Sequence, residues 1–432
     1  MAETISLLYN KYLECTAVST DSRADQNNNL FFALHGPNFN GNQFAAQALA
    51  KGARYAVVDD PALASDQIIV VPDTLQALQE LAQYHRRQLT IPVIGITGSN
   101  GKTTTKELIH AVLSQRFNTV YTKGNLNNHI GVPLTILTIK PEHQIAIIEM
   151  GANHIGEIEQ LCNIAEPTHG IITNIGKAHL EGFGSLEGVA RAKSELYMHL
   201  LRNKGTAFIN SQNEHLQRMG SRLPIKITYP APGDFFHCKF ISASPFVVYE
   251  SENNEIVTTQ IIGEYNFENI AAASCIGKYF NVPLTKINAG VAGYVPTNNR
   301  SQIIQKGTNT ILLDAYNANP SSMTASVNNF AHAEAARKVL ILGDMLELGT
   351  SSTDEHAKLG KLVAGFPFDV VLLCGPEMQQ ASAYVPAAHH FATKADLKQW
   401  LLNNPVQNSF VLIKGSRGMS LESLLDYLEP GS

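Results

Sequence analysis

A glycine-rich turn lies between an apolar run and a helix-like stretch, and its composition suits it to bind phosphate. Residues 95–107 read Gly-Ile-Thr-Gly-Ser-Asn-Gly-Lys-Thr-Thr-Thr-Lys-Glu. Backbone N–H groups in such a turn converge on an anion, and the dipole of the following helix adds to the attraction. Lys102 supplies a positive charge for β- and γ-phosphates, and Thr103 supplies a hydroxyl for Mg²⁺. The segment therefore predicts a nucleoside triphosphate site, with ATP as the expected ligand.

The turn departs from the general P-loop pattern at one position. That pattern has a glycine five residues before the last glycine of the loop, where this chain has Ile96. The alternative is a glycine-rich turn with a chance Lys-Thr pair. The strand–loop–helix context that the motif requires is present, and it favours phosphate binding.

Polar residues also follow two other apolar runs, at positions where parallel strands would end. Glu149 ends the run that begins at Ile145, and His179 lies in the loop after residues 170–173. The carboxyl ends of strands form the ligand crevice of an open α/β sheet, so Glu149 is a candidate Mg²⁺ ligand. The alternative is an ordinary strand-end acid. His179 is a candidate metal ligand or proton carrier, although a lone histidine is more often structural.

Further polar residues have both a structural and a functional interpretation. From spacing alone, Lys193 lies on a charged, solvated helix face. Asn266 and Asn269, at the start of an Ala-rich helix, either cap that helix or bind an adenine edge. Asp314, with Arg300 shortly before it, ends another strand, and its cluster is either an ordinary turn or part of a ligand crevice.

These residues require a large α/β protein to position them. The chain has 432 residues, which at roughly 150 residues per domain predicts two to three domains. Charged residues make up 16% and hydrophobic residues 44%, which suits a globular protein rather than a disordered one. A formal net charge of -5 gives no general attraction to nucleic acid, so no nucleic-acid partner is expected.

The cysteines and the N-terminus predict a cytoplasmic protein. Five scattered cysteines form no CxxC pair, which argues against a zinc site and a disulfide framework. The first residues lack the pattern of a signal peptide. No apolar run reaches the roughly 20 residues of a membrane span, so no membrane insertion is expected.

Strand–helix alternation divides the chain into three segments: 1–88, 89–296 and 297–432. The first alternates short strands with helices and includes a helix over Thr74–Gln88, with Thr74 as its N-cap. The second begins with the phosphate loop and contains a short antiparallel insert at 225–262. The third is expected to be a doubly wound, Rossmann-like sheet with strands at Thr310–Asp314, Lys338–Leu342, Asp369–Cys374 and Phe410–Lys414.

The chain resembles the Mur ligases, the ATP-dependent amide-forming enzymes of peptidoglycan precursor synthesis. Two of its motifs, Glu149–His154 and Tyr316–Pro320, are typical of the member that adds D-Ala-D-Ala to UDP-MurNAc-tripeptide. The matching motifs run in the family's order from residue 19 to residue 417: 19–23, 98–104, 124–128, 149–156, 178–185, 314–320, 342–349 and 414–417.

The resemblance implies roles for individual residues. It places the ATP phosphates at Gly98, Ser99, Asn100, Gly101, Lys102, Thr103 and Thr104, and the adenine at Asn266 and Asn269. It implies one Mg²⁺ at Thr103 and Glu149, and a second at His179 and a carbamate on Lys193. It implies that Arg300 and Asp314 close over the nucleotide. It assigns the substrate to Asp21, Ser22, Arg23, the Leu34–Phe39 loop, Asn125, Asn127, Asn128, Tyr316, Asn317 and Asn319.

Three other functions compete with this interpretation. A folylpolyglutamate synthase shares the fold but lacks the region of about ninety residues before the phosphate loop. A non-catalytic homologue is disfavoured because the loop, the proposed metal ligands and Lys193 are all present. A simple P-loop kinase or GTPase has no use for a third domain that contributes Arg300 and Asp314. A monomer is expected, although the sequence does not fix the oligomeric state, and it leaves open whether the third residue of the tripeptide is diaminopimelate or lysine.

Overall fold

A computed structural model describes residues 2–297 and 299–428 and has three α/β parts in chain order. The first part contains a four-stranded parallel sheet, whose strand order is β1-β2-β5-β6, and a two-stranded ribbon of β3 and β4. Its elements are α1 (Ala2–Leu13), β1 (Val18–Ser19), β2 (Leu30–Phe32), β3 (His35–Gly36), β4 (Phe39–Asn40), α2 (Ala45–Ala50), β5 (Tyr55–Val58), β6 (Ile68–Val70) and α3 (Thr74–Gln88).

The second part is built on a six-stranded parallel sheet followed by a small antiparallel sheet and two helices. Its elements are β7 (Val93–Thr97), α4 (Lys102–Leu113), β8 (Thr119–Tyr121), α5 (Gly131–Ile136), β9 (Ile145–Glu149), α6 (Glu157–Ala165), β10 (His169–Ile172), α7 (Leu180–Phe183), α8 (Leu186–Arg202), β11 (Thr206–Asn210), α9 (Glu214–Met219), β12 (Lys226–Tyr229), β13 (Lys239–Ala243), β14 (Phe246–Glu250), β15 (Ile256–Ile262), α10 (Phe267–Tyr279) and α11 (Leu284–Ala292).

Strand β7 lies inside the central sheet, where the direction of the strand order changes. The order is β12-β11-β10-β7-β9-β8, so β7 has β9 on one side and β10 on the other. Every residue of β7 is buried, as expected for a central parallel strand. Ligands of open α/β sheets bind at the carboxyl ends of the strands next to such a switch point. The loop after β7 is therefore in the expected position for a ligand site.

The third part is a six-stranded sheet, parallel except for its first edge strand. Its elements are β16 (Gln302–Lys306), β17 (Asn309–Asp314), α12 (Pro320–His332), β18 (Lys338–Gly343), α13 (Ser352–Ala364), β19 (Val370–Cys374), α14 (Gln379–Ser382), β20 (His389–Phe391), α15 (Lys394–Asn403) and β21 (Phe410–Lys414). The strand order is β16-β17-β21-β18-β19-β20, and only β16 runs antiparallel to its neighbour. Residues Asp314 and Lys414 are paired in the β17–β21 register.

Apolar packing holds each sheet between its helices. One face of the central sheet packs on α5, α6 and α8, and this core continues into α3, where Leu78 and Leu81 are fully buried. The other face packs on α4, α10 and α11 and on the antiparallel sheet β13–β15. Among the described residues, no helix has the length and apolar character needed to cross a membrane.

The sequence predictions for the elements agree with this fold, with small differences at the ends. The four strands of the third part are present, and the doubly wound architecture is confirmed. The antiparallel insert is present as β13–β15, but its predicted start at residue 225 was wrong, because β12 pairs in parallel with β11 in the central sheet. The predicted N-cap of α3 was wrong. Asp73, not Thr74, accepts the capping hydrogen bond from the backbone N–H of Gln76, at 2.8 Å. Thr74 instead donates its hydroxyl to the carbonyl of Ala33.

Candidate active site

One cavity of about 830 Å³ opens where the central sheet faces the third part. Its walls come from the phosphate loop, the ends of β9 and β10, the start of α10, and the third part. The predicted site residues that line it are Ser99, Asn100, Gly101, Lys102, Thr103, Thr104, Asn125, Asn127, Asn128, Glu149, His179, Asn266, Asn269, Arg300, Asp314, Tyr316 and Asn317. Residues that are 219 positions apart in the chain touch across this region, because Asn319 Nδ2 donates to Asn100 Oδ1 at 2.8 Å.

The turn after β7 requires glycine at two positions. Gly98 has a φ of +146° and Gly101 a φ of +77°, both in the region that favours glycine. A Cβ at Gly98 would lie 2.0 Å from the hydroxyl of Thr173, and one at Gly101 would lie 2.6 Å from the amide oxygen of Asn269. Ile96, the departure from the P-loop pattern, is a fully buried residue of β7 and precedes the turn. The tight turn is thus formed without a glycine at position 96.

The Lys102 ammonium lies over this turn. Its Nζ donates to the carbonyl of Gly98 at 2.8 Å and to the carbonyl of Ser99 at 3.2 Å. Burial and the positive charge of Arg300 lower the pKa of Lys102, while Glu149 opposes the shift. Helix α4 begins at Lys102, so the backbone N–H groups of its first turn point toward the same part of the cavity. This is the arrangement of an anion site at a helix N-terminus.

Glu149 is buried at the end of β9, and other side chains hold its carboxylate. Thr103 Oγ1 donates to Oε2 at 2.8 Å, and Asn127 Nδ2 donates to Oε1 at 2.8 Å. Burial raises the pKa of Glu149, but the charges of Lys106, Arg300 and Lys102 outweigh it, so the pKa is lowered overall. The carboxylate therefore remains ionised at neutral pH.

The oxygen atoms around Glu149 fit a hard cation. A carboxylate and a hydroxyl, here from Glu149 and Thr103, are ligand types that Mg²⁺ accepts. Within residues 2–297 and 299–428, however, no three His, Cys, Asp or Glu side chains are close enough together to hold a metal ion. A magnesium ion at Glu149 would have to complete its coordination with Thr103, water and phosphate oxygens, as is usual for nucleotide-bound magnesium.

His179 contacts the third part of the chain rather than Glu149. It has a φ of +50° and directly precedes α7. Its Nδ1 forms a short hydrogen bond with a carboxylate oxygen of Glu347, which lowers the pKa of Glu347. With Nδ1 engaged, Nε2 is the nitrogen left for another ligand. A carboxylate partner on the second ring nitrogen is typical of metal-bound histidines, and the pairing is compatible with the predicted role.

Lys193 is buried, so the solvated helix face predicted from spacing was wrong. Its exposed fraction is 1%, and it lies in α8 on the face that also buries Val189, Leu196 and Leu200. Its Nζ makes one long hydrogen bond, at 3.4 Å, to the carbonyl of Ala152. Burial, together with the like charge of Lys102, lowers the pKa of Lys193 to about 7. A large fraction of this amine is therefore neutral and nucleophilic at physiological pH.

Asn266 and Asn269 are both buried at the start of α10, and neither caps the helix with its side chain. Asn266 Nδ2 donates to the carbonyl of Ile262, and Asn269 Nδ2 donates to Asn266 Oδ1, both at 2.8 Å. The oxygen of Asn269 accepts from the hydroxyl of Thr105, on the phosphate-loop helix. This chain of hydrogen bonds joins the two helices at the cavity wall.

The third part contributes an aromatic–cation pair and an ion pair. The Arg300 guanidinium lies 3.6 Å from the centre of the Tyr316 ring. Lys414 Nζ donates to Asp314 Oδ2 at 2.6 Å, and Ser326 Oγ donates to the same oxygen at 2.9 Å. The Lys414 side chain is only 2% exposed, so this ion pair is shielded from water.

The residues predicted to bind the uridine diphosphate end lie outside this cavity, on the first part. Asp21 and Arg23 form an exposed ion pair with a distance of 2.9 Å, and Ser22 between them is buried. Leu34 is buried after β2, whereas Phe39 in β4 is exposed. Gly98, Lys193 and Asn319 are also absent from the cavity lining, although each adjoins residues that do line it.

The sequence alone did not identify two residues that contact the predicted metal ligands Glu149 and His179. Lys106 is completely buried, with its Nζ 3.4 Å from Glu149 Oε2. It lies three residues after Thr103 and three before Ile109, on the inward face of α4, so helical periodicity gave a signal for its burial. Glu347 contacts His179 from 168 positions away, and local patterning contains no signal for that contact.

Comparisons with known proteins agree with the geometry. Family models match three stretches: "Mur ligase family, catalytic domain" at residues 14–86, "Mur ligase middle domain" at 96–277, and "Mur ligase, glutamate ligase domain" at 299–417. The UDP-N-acetylmuramoyl-tripeptide--D-alanyl-D-alanine ligase of Escherichia coli (strain K12) is 38% identical over 424 residues, which cover 96% of this chain and 93% of that protein.

Solved structures are similar over nearly the whole chain. Crystal structure I of MurF from Acinetobacter baumannii has a TM-score of 0.88 at 32% identity and covers 98% of both chains. The MurF ligase from Thermotoga maritima in complex with ADP has a TM-score of 0.84 at 26% identity and covers 96% of this chain and 97% of that one. These similarities extend through all three parts of the chain.

Proposed function

Because the chain belongs to the Mur ligase family, we propose that it joins D-Ala-D-Ala to the terminal carboxylate of UDP-MurNAc-tripeptide. The products are UDP-MurNAc-pentapeptide, ADP and phosphate. One observation carries the proposal. A single cavity brings the phosphate loop of Lys102 together with Glu149 and with Arg300 from the third part. That arrangement suits a reaction in which ATP activates an acid for attack by an amine.

Each part of the chain has a role in this proposal. Residues 1–88 bind the UDP-sugar through the Asp21–Arg23 turn and the Leu34–Phe39 loop. Residues 89–296 bind ATP, with Asn266 and Asn269 at the adenine. Residues 297–432 close over the nucleotide with Arg300 and Asp314. Asn125, Asn127 and Asn128 lie along the path of the muramoyl peptide, and Tyr316, Asn317 and Asn319 approach it from the third part.

A carboxylate has to be activated before an amine can attack it, because it would otherwise have to expel oxide, a very poor leaving group. A carboxylate oxygen of the tripeptide attacks the γ-phosphorus of ATP, and ADP leaves, so the acid becomes an acyl phosphate. The Lys102 ammonium offsets the negative charge that develops on the transferring oxygens. The amine of D-Ala-D-Ala then attacks the acyl carbon, loses a proton, and expels phosphate. Most of the acceleration comes from positioning and electrostatics rather than from covalent chemistry by the protein.

Two Mg²⁺ ions belong to the proposal. Thr103 and Glu149 would hold the first, and their oxygen atoms suit a hard cation. His179 and a carbamate on Lys193 would hold the second; the buried, largely neutral amine of Lys193 supports this modification. A bound Mg²⁺ supplies charge neutralisation to the phosphates.

Contacts between the central and third parts support closure around the reactants. His179 pairs with Glu347, and Lys177 Nζ donates to Glu355 at 2.7 Å. The backbone N–H of Lys177 also donates to the hydroxyl of Ser321. Closure excludes water, which would otherwise hydrolyse the acyl phosphate. We propose a monomeric, cytoplasmic enzyme, and the five free cysteines are consistent with a reducing compartment.

Product analysis tests the function. ADP release is measured with each substrate alone and with both together, and the product is identified by mass spectrometry. The proposal requires ADP release that depends on both UDP-MurNAc-tripeptide and D-Ala-D-Ala, with one pentapeptide formed per ADP. Release of ADP with a folate and glutamate, and none with these two substrates, would assign the chain to the folylpolyglutamate synthases instead. Comparing tripeptides that end in diaminopimelate and in lysine identifies the third residue.

A further inference from the structure

Lys106 is a buried cation whose position the phosphate-loop motif does not explain. It lies on α4, one turn after Thr103, and its side chain is 0% exposed. Among the described residues its ammonium has no hydrogen-bond acceptor in suitable geometry. Its nearest opposite charge is Glu149, with Nζ and Oε2 3.4 Å apart, and the Tyr121 ring centre lies 5.7 Å away. Burying an ammonium is costly, so such a residue calls for an electrostatic reason.

The carboxylate of Glu149 is already compensated by hydrogen bonds and charge. Thr103 and Asn127 each donate one hydrogen bond to it, and Lys106 adds a full positive charge behind it. Lys102 and Arg300 also act on it. Three cations therefore influence one carboxylate. This surplus of positive charge attracts a polyanion such as a triphosphate and opposes the binding of a free divalent cation.

We propose that Lys106 is a positioning residue that suppresses metal binding at Glu149 until a nucleotide phosphate is present. A triphosphate brings enough negative charge to offset the Lys106 ammonium, and the metal then binds together with the nucleotide. Lys106 thereby links occupation of the metal site to occupation of the phosphate loop. This inference rests on the proposed function, because it takes Glu149 to be a metal ligand.

Manganese is a suitable probe because free and bound Mn²⁺ are distinguished by electron paramagnetic resonance. Mn²⁺ is titrated into the full chain without nucleotide, for the wild type and for Lys106→Met. Methionine has a similar unbranched shape, and its introduction leaves no buried donor unsatisfied. The Mn²⁺ affinity of Lys106→Met should rise by about tenfold or more, because a unit charge so close to the carboxylate is removed in a poorly solvated site. An unchanged or weaker affinity overturns the inference.

Lys123 offers a matched control. It is exposed, and its Nζ lies 3.7 Å from the centre of the same Tyr121 ring. Lys123→Met therefore removes one positive charge next to this ring without removing a contact to Glu149. It should leave the nucleotide-free affinity for Mn²⁺ within about twofold of the wild type, because a solvated charge is well screened. An equal gain in Lys123→Met and Lys106→Met would assign the effect to net charge alone and overturn the inference.

Two further variants test whether the change in Mn²⁺ affinity comes from the charge of Lys106 rather than from packing, and whether it acts through Glu149. Lys106→Arg keeps the charge and should keep the weak affinity; a gain like that of Lys106→Met overturns the inference. In the background of Glu149→Gln, Lys106→Met should produce no gain, because the two residues act as a coupled pair. The proposed function is tested separately by Mn²⁺ binding to wild type with a non-hydrolysable ATP analogue. If Mn²⁺ does not bind together with the analogue, the metal site itself is rejected. If Mn²⁺ binds with the analogue but Lys106→Met does not change the nucleotide-free affinity, only the inference is rejected.

Discussion

Labelled carbon dioxide should form a carbamate on Lys193 of the folded protein, and the yield should rise with pH through about 7. Carbamate forms when a neutral amine attacks CO₂ and releases a proton. With a pKa of about 7, roughly three quarters of Lys193 is neutral at pH 7.5. A lysine with the ordinary pKa of about 10.4 is only about 0.1% neutral at that pH. Burial therefore raises the reactive fraction by several hundredfold and favours Lys193 over exposed lysines.

Carbon-13 NMR measures this reaction directly. The protein is equilibrated with ¹³C-labelled CO₂ at a fixed pressure between pH 6 and pH 8.5, and the carbamate signal is integrated. The wild type should show a signal that grows as pH passes through 7, because deprotonation of the amine precedes reaction. Lys193→Met removes the amine, keeps an unbranched side chain in the apolar face of α8, and should lose the part of the signal that titrates near pH 7.

Two results would refute the reasoning about Lys193. If the wild type shows no carbamate signal at pH 8.5, the buried amine does not react as its environment predicts. If the signal that titrates near pH 7 is unchanged in Lys193→Met, the carbamate forms on another amine. Enzyme activity gives an independent measure. Lys193→Ala should be nearly inactive and should regain part of its activity with a short carboxylic acid, whereas full activity without rescue would exclude a ligand role.

Three further substitutions test other parts of the site. Lys102→Ala should abolish amide formation, because it removes the ammonium that lies over the phosphate loop, while UDP-sugar binding measured by calorimetry stays intact. Glu347→Gln weakens the contact with His179 and should raise the KM for ATP several-fold, since the contact joins the two parts that surround the nucleotide. Lys414→Met leaves Asp314 without its buried partner and should cost about 3 kcal/mol of the free energy of unfolding, read from urea denaturation.

Each substitution has a matched control or a contradicting outcome. Normal turnover in Lys102→Ala would remove the phosphate loop from the mechanism. Glu334→Gln changes an exposed acid in the same part of the chain as Glu347 and should leave the KM for ATP unchanged. Lys358→Met removes an exposed lysine from the buried Glu355, which keeps Lys177 as its other partner, and should shift the urea midpoint only slightly. If Lys414→Met shifts the urea midpoint no more than Lys358→Met does, burial of the Lys414–Asp314 ion pair does not determine its contribution to stability.

Much of the fold could be predicted from sequence because apolar patterning dictates it. The buried strands β7, β9, β17 and β21 read as short continuous apolar runs, and their ends place Glu149, Asp314 and Lys414 at carboxyl edges. The phosphate loop was predictable because its conformation requires glycine at Gly98 and Gly101.

The burial of charged residues was harder to predict, although a signal was present. Lys193 is four residues after Val189 and four before Tyr197, both buried, so it lies on the apolar face of α8. Because lysine is charged, the residue was nevertheless predicted to lie on a solvated face. The contacts between parts of the chain gave no such signal. His179 and Glu347 are in contact because the central and third sheets face each other. Local sequence patterns carry no information on which residues of two different sheets will be close in space.

The fate of oxygen in the substrate carboxylate tests the central claim that ATP converts an acid to an acyl phosphate. The tripeptide is labelled with ¹⁸O at both oxygens of its terminal carboxylate, and the phosphate released during amide formation is analysed by mass spectrometry. The proposed mechanism transfers one labelled oxygen to each phosphate and leaves the other in the new amide. Unlabelled phosphate, with amide formation intact, would contradict it.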